Sequence, residues 1–273
     1  MLKKLKKIFR ITDYISKNHI GAYAAQAAYF LILSMIPIFL LLLTIIQYTP
    51  VTKADVMSAM VLVFPEESMQ SFIVSIINQV YNQSRAIIPI TVIVTLWSAG
   101  KGVLAINTGL NCVYNTKETR NYLILRLRAC FYTIVFILAI VLGLVFSVFG
   151  NNISAFINAY FPFLRDSIVV ILESRTVVSF VLWFLFAMVV YHFLPNRKEK
   201  MSKHVPGALF SSAAWMLISF GFSTYLTVFK GFSGLYGSMT AIVLVMLWLY
   251  FCMYAMLLGG LLNSLLASRG KSS

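Results

Sequence analysis

The chain has 273 residues, of which 60% are apolar and only 11% charged, where soluble domains carry about 25% charged residues. Twenty-two Lys and Arg stand against eight Asp and Glu, a net charge of +14. The composition excludes a water-soluble enzyme, a disordered tail and a disulfide-stapled secreted module. A cationic excess that would suggest nucleic acid in a soluble protein reads here as basic residues held on the cytoplasmic side of membrane spans.

In chain order, the opening MLKKLKKIFRI sets Leu2, Leu5, Ile8 and Phe9 on one helical face and Lys3, Lys4, Lys6, Lys7 and Arg10 on the other. That pattern predicts an amphipathic helix lying in the membrane interface. Each basic residue beside an anionic leaflet adds about 1 kcal/mol, so membrane lipids, and anionic phospholipids at the cytoplasmic face, are the expected partners. The stretch from Ile20 to Thr52 is free of charge, far longer than the roughly 7–15 residues of a signal-peptide core. It predicts a retained first span at about 25–48. Gln26 and Tyr29 lie three apart among Ala24, Ala25, Ala27 and Ala28, small residues that let helix backbones approach closely. Pro37 removes a backbone donor, freeing the carbonyl of Leu33 and predicting a kink.

Residues 50–85 include Phe72, Ile73, Ile76, Ile77 and Val80 at helical spacing, which predicts a helix covering the outer face. The second span is placed at about 86–106. Its charge-free part stops at Lys101, so the helix either continues toward Asn111 or breaks at Gly100-Lys101-Gly102. Glycine on both sides suits a broken helix lining a polar cavity, or close helix packing. Trp97 and Lys101 share a face, Ser98 is adjacent, and Asn107 and Asn111 are one turn apart. A cation inside a span costs about 2.5–3.5 kcal/mol on insertion scales. Lys101 therefore either snorkels to the interface or contacts an anion or lipid phosphate in a cavity, and in the second case it faces the interior with Asn107, Asn111 and Gln26 or Tyr29.

The third span runs about 129–150, followed by a second outer amphipathic stretch at Ile153, Phe156, Ile157 and Tyr160. The fourth is about 176–195, the fifth 205–229 and the sixth 240–267. The sixth carries Gly259, Gly260 and Asn263, with the same choice between close packing and a cavity. Continuous apolar runs rather than alternation exclude a barrel. The expected architecture is all-α: one polytopic helical bundle of six spans, residues 1–273 forming a single membrane domain. Placing both termini inside puts 16 basic residues in the inner segments and five in the outer ones, so both termini are expected in the cytoplasm.

No predicted span holds an Asp or Glu, which argues against a carboxylate-driven pump. Cys112, Cys130 and Cys252 are odd in number and far apart, giving neither a disulfide framework nor a metal spacing. His19, His192 and His204 lack an acid three or four residues on, and no nucleophile elbow, zincin or phosphate-loop motif occurs. The chain is expected to be no enzyme and to need no cofactor or metal.

Four stretches in order resemble the YihY/virulence factor BrkB family of bacterial inner-membrane proteins: AAYFLILSMIPIFLLL (27–42), WSAGKGVLAINTGLNCVY (97–114), YHFLPNRK with HVPGALFSSAAW (191–198, 204–215), and LYGSMTAIVLVMLWLYF with LLGGLLN (235–251, 257–263). The resemblance implies a six-span plasma-membrane protein with cytoplasmic ends and a suspected role in transport or lipid translocation. It also brings an old ribonuclease label, which no carboxylate cluster here supports. Tyr29, Ser34, Pro37, Trp97, Ser98, Asn107, Asn111, Pro195, Asn196, Pro206, Gly207, Trp215, Tyr236, Gly237, Trp248, Gly259 and Asn263 match its motifs. The acid that the family commonly carries two residues before the final Asn is Leu261 here. The expected function is to move or bind an amphipathic or anionic molecule such as a lipid, with a scaffold role in the envelope as the first rival and a membrane-embedded enzyme as the second. The candidate path is Gln26, Tyr29, Pro37, Trp97, Ser98, Lys101, Asn107, Asn111 and Asn263. No nucleic-acid partner is expected, and a homo-oligomer stays open.

Overall fold

The computed structural model describes residues 15–46, 88–138, 175–228 and 238–269, with short pieces between 52 and 58 and between 74 and 78. The N-terminal amphipathic stretch at 1–11, the outer stretch at 153–160, most of that around 72–80, and the far half of the third span lie outside the described residues.

All regular structure among the described residues is helical. The helices are α1 (Ile20–Ile46), α2 (Ile88–Val113), α3 (described over 122–138), α4 (Arg175–Phe193), α5 (Val205–Val228) and α6 (Ser238–Arg269), with a 3-10 turn at Met201–His204 before α5. Three stretches are long and apolar enough to cross a membrane: Thr176–Phe193, Met201–Leu226 and Ile242–Ser268. The all-helical expectation therefore holds for the described residues, with three candidate spans.

α1 and α2 both continue through the residues that could have ended them. α1 continues through Pro37. There the buried Thr95 of α2 donates its hydroxyl to the Pro37 carbonyl at 2.9 Å, pinning the two helices together. α2 runs unbroken past Gly100-Lys101-Gly102 to Val113. A Cβ at Gly100 would lie 3.8 Å from Ala129 of α3, and one at Gly102 would lie 3.2 Å from Leu31 of α1. The two glycines are contact points for neighbouring helices, and the alternative of a break is not what forms.

The most extensive pairing is α1 with α2, followed by α6 with α5 and with α1. The core they share holds Ile20, Leu110, Val113, Tyr191, Met256 and Leu257. α5 meets α6 at two glycines. A Cβ on Gly207 would fall on the Gly259 carbonyl oxygen, and one on Gly259 would come within 2.6 Å of the Gly207 carbonyl oxygen. Beside that crossing, the Tyr191 hydroxyl of α4 sits 2.5 Å from Ser211 Oγ and donates to the Met256 carbonyl at 2.6 Å. Trp183 of α4 stacks on Trp215 of α5, ring centroids 4.9 Å apart.

The start of α5 shows why Asn263 is buried. Val205 and Pro206 offer no capping side chain, and the first-turn N–H groups of a helix have no partner within it. Asn263 of α6 supplies one: its Oδ1 accepts from the Gly207 N–H at 2.7 Å, and its Nδ2 donates to the His204 carbonyl at 3.3 Å. One amide thus caps a helix on a different element.

Candidate functional site

Two connections meet at one end of the bundle, 114–121 after α2 and 194–204 after α4. Glu118 accepts from Asn111 Nδ2 at 2.8 Å and from Asn107 Nδ2 at 3.2 Å on one carboxylate oxygen. Its other oxygen accepts from the Arg120 backbone N–H at 3.2 Å and lies 3.6 Å from the Arg120 guanidinium. A carboxylate can only accept hydrogen bonds, so both asparagines turn their NH2 groups toward it and their oxygens away. Asn111 Oδ1 then receives the Asn196 backbone N–H at 2.8 Å. Asn107 Oδ1 is buried and accepts no hydrogen bond from any described residue.

Arg120 crosses to the other connection. It donates to Asn196 Oδ1 at 3.1 Å and to the carbonyls of Leu194 at 3.3 Å and Pro195 at 2.9 Å. The Phe193 carbonyl takes Arg128 Nη2 at 2.9 Å and the Tyr132 hydroxyl at 3.2 Å. Asn196 Nδ2 returns to the Lys117 carbonyl at 3.1 Å and to Thr119 Oγ1 at 2.9 Å. The Phe193 carbonyl that ends α4, which no helical N–H reaches, and the two carbonyls after it are thus held by cations near the negative end of the helix dipole. Burial lowers the pKa of Arg120, with Arg128 acting in the same sense and Glu118 opposing.

A second charged group borders this end. Glu199 pairs with Arg197 and, at 4.0 Å, with Lys203. Burial raises its pKa, but the hydrogen bond and charge of Arg197, with Lys203 and His204, outweigh it and hold the carboxyl below its ordinary value. The Arg197 guanidinium lies 4.6 Å above the Tyr114 ring.

Between α1, α2 and the 114–121 connection lies a cleft of about 260 Å³. Polar residues, Asn107, Thr108, Asn111, Thr116 and Glu118, line it together with Tyr23, Leu104, Cys112 and Leu125. Asn107 also borders a separate void of about 10 Å³ near Arg120 and Arg128, room for about one water molecule.

The nine residues expected to line a path do not converge. Asn107 and Asn111, 6% and 5% exposed, meet at the cleft, while Asn263, 3% exposed, serves the α5 cap. Gln26 and Tyr29 are exposed on α1, and Pro37 and Ser98 are half-buried. Trp97 and Lys101 lie on the outside of α2. The expectation of Lys101 in the interior beside Gln26 or Tyr29 is thus not what the structure shows. The reason is angular. Side chains advance by roughly 100° per residue, and Gly100 and Gly102 take the two directions that face α3 and α1, so the residue between them points outward. Its ammonium sits 5.6 Å from the Phe30 ring centroid.

Sequence reasoning missed Glu118, Arg120 and Arg126 as organising residues. One signal was available. Only three acids (Asp13, Glu118 and Glu199) fall in the inner segments, among 16 basic residues, and each of the two described acids organises its connection.

The family model described as virulence factor BrkB matches residues 11–273. The chain is 33% identical to a ribonuclease-like protein, YfkH, of Bacillus subtilis (strain 168), over 99% of this chain and 96% of that protein. It is 23% identical to a UPF0761 membrane protein of Histophilus somni (strain 2336), over 98% and 92% of the two chains. A UPF0761 membrane protein of Stenotrophomonas maltophilia (strain K279a) matches at 31% identity over 31% of this chain and 20% of its own length. No solved structure matches the chain.

Proposed function

The chain belongs to the virulence factor BrkB family and is a membrane protein, and from that premise we propose that it binds an amphipathic molecule at the end of the bundle and passes it across the bilayer. The observation that carries this reading is the cleft of about 260 Å³, whose lining mixes polar residues, Asn107, Asn111, Thr116 and Glu118 among them, with Tyr23, Leu104 and Leu125. A lining that mixes polar and apolar groups suits a molecule with a polar head and an apolar body. Asn107 Oδ1 beside it is an acceptor whose direction Glu118 fixes. Glu118 itself is held by two asparagines and Arg120, which suits an anchor better than a proton shuttle, so the reading assigns the chain no catalytic step and no cofactor.

The test is lipid translocation by purified protein in vesicles, followed by quenching of a fluorescent phospholipid from outside. Wild type is expected to accelerate exchange between leaflets. Asn107→Leu is expected to slow it at least about tenfold, the loss of one hydrogen bond to a charged head group. Wild-type vesicles no faster than empty ones would overturn translocation and leave a scaffold role.

The same reading has six crossings of the bacterial plasma membrane, with both termini and the two connections in the cytoplasm. It is supported by the positive bias of the inner segments and by the meeting of 114–121 with 194–204 at one end. A cysteine replacing the exposed Lys200 should react with a membrane-impermeant maleimide in inverted vesicles and not in intact spheroplasts. The reverse pattern would invert the topology.

A further inference from the structure

On the lateral face of α2, away from the cleft, two cations stand on an apolar surface. The Arg126 guanidinium of α3 lies 3.9 Å above the Trp97 ring. Its Nη2 donates to the Trp97 carbonyl at 2.5 Å, and its buried Nε has no partner among the described residues. One turn further along α2, Lys101 shares the Trp97 face, with its ammonium 5.6 Å from the Phe30 ring centroid. No carboxylate pairs with either cation among the described residues. Glu118 is taken by Arg120, and Glu199 by Arg197 and Lys203.

The surroundings of these cations are strongly apolar. Ile90, Ile93 and Val94 are exposed on the same face of α2, and Leu123, Leu127 and Phe131 on α3. Surface of that kind on a membrane protein faces lipid. An arginine only 5% exposed, lacking a carboxylate among the described residues, is poorly placed without a counter-charge. Cation–aromatic contact relieves part of that, more strongly where water is excluded. The anion that a membrane offers beside a protein's flank is the phosphate of a lipid head group, which arginine binds as a fork and lysine as a point charge.

We infer that Phe30, Trp97, Lys101 and Arg126 form a lateral docking site for an anionic phospholipid, the phosphate between Lys101 and Arg126 and the acyl chains along the exposed faces of α2 and α3. The site is independent of the cleft and holds whether or not the protein moves lipid.

The experiment is native mass spectrometry of the full-length protein in detergent with equal amounts of phosphatidylglycerol and phosphatidylcholine. Wild type is expected to retain phosphatidylglycerol preferentially. Lys101→Gln, at an exposed position that folding does not need, should lower the retained phosphatidylglycerol about fivefold, the contribution of one basic residue near anionic lipid. Lys101→Arg should restore it. Lys200→Gln, at an exposed lysine of the 194–204 connection, should leave it unchanged. Arg126→Lys, which keeps the charge but loses the flat face against Trp97, should give an intermediate loss. Millimolar glycerol phosphate should not displace the lipid. Equal retention of the two lipids by wild type, equal effects of the Lys101 and Lys200 changes, or displacement by glycerol phosphate would each overturn the site. Because retention is read without any flip measurement, loss of translocation alone leaves this inference standing.

Discussion

Alanine in place of Gly259 is expected to cost about 3 kcal/mol of stability, a fall of about 10 °C in the midpoint of thermal unfolding for a chain of this size. The added methyl would land on Ser211 Oγ and the Tyr191 hydroxyl, 2.6 Å from the Gly207 carbonyl oxygen. None of these can step aside cheaply. The Tyr191 hydroxyl is held between Ser211 and the Met256 carbonyl, and the Gly207 carbonyl belongs to the helix that Asn263 caps. The methyl therefore parts α5 from α6 along their crossing. Gly221→Ala on α5, where a Cβ would meet nothing within 4 Å, is the matched control and should stabilise or leave the midpoint unchanged. Tryptophan fluorescence during heating of both variants in detergent reads the difference, and equal midpoints would refute close packing at this crossing.

The second large effect belongs to Asn111, 5% exposed, whose amide is used at both ends. Its Nδ2 reaches Glu118 and its Oδ1 holds the Asn196 N–H. Asn111→Ala leaves both partners unmet and should cost about 2 kcal/mol. Asn111→Asp should cost about 3 kcal/mol at pH 7.5, because it sets a second carboxylate where Glu118 now accepts at 2.8 Å, and two such groups do not both ionise easily. The sign of the pH dependence separates the two variants. In Asn111→Asp the folded-state pKa of the carboxylate pair is raised above its unfolded value. The penalty is therefore full above that raised value and shrinks as pH falls, vanishing below about 4, where both states are protonated. Asn111→Ala should show no such recovery. Unfolding midpoints at pH 7.5 and 5 decide it, and a pH-independent loss in Asn111→Asp would mean that Glu118 does not face residue 111.

Helices are the part of this fold that the residues announce most openly. Long charge-free runs place α4, α5 and α6 within a few residues of their observed limits, because hydrocarbon demands continuous apolar length and satisfied backbone groups. The extension of α2 to Val113 was open in the sequence, since glycines around a lysine fit both a break and a packed contact. Only the positions of Leu31 and Ala129 settle which neighbour fills the missing side chain. The site was half legible. Asn107 and Asn111 announce themselves as polar residues one turn apart on a largely apolar helix. Their partners Glu118 and Asn196 come from connections 7 and 85 residues away from Asn111, and no local periodicity reports a pairing of that kind. Asn263 illustrates the limit differently: its place among the path residues was a matter of chemistry, while its cap on Gly207 depends on where another helix happens to begin.

The grip of Arg120, Arg128 and Tyr132 on the carbonyls of Phe193, Leu194 and Pro195 at the end of α4 has a mechanical consequence. Four hydrogen bonds tie the base of one helical pair to the base of another, and the Gly207–Gly259 crossing lies close by. A structure riveted there resembles a pair of tweezers: relative movement of α2 and α4 is smallest at Asn196 and grows toward Ile88 and Arg175.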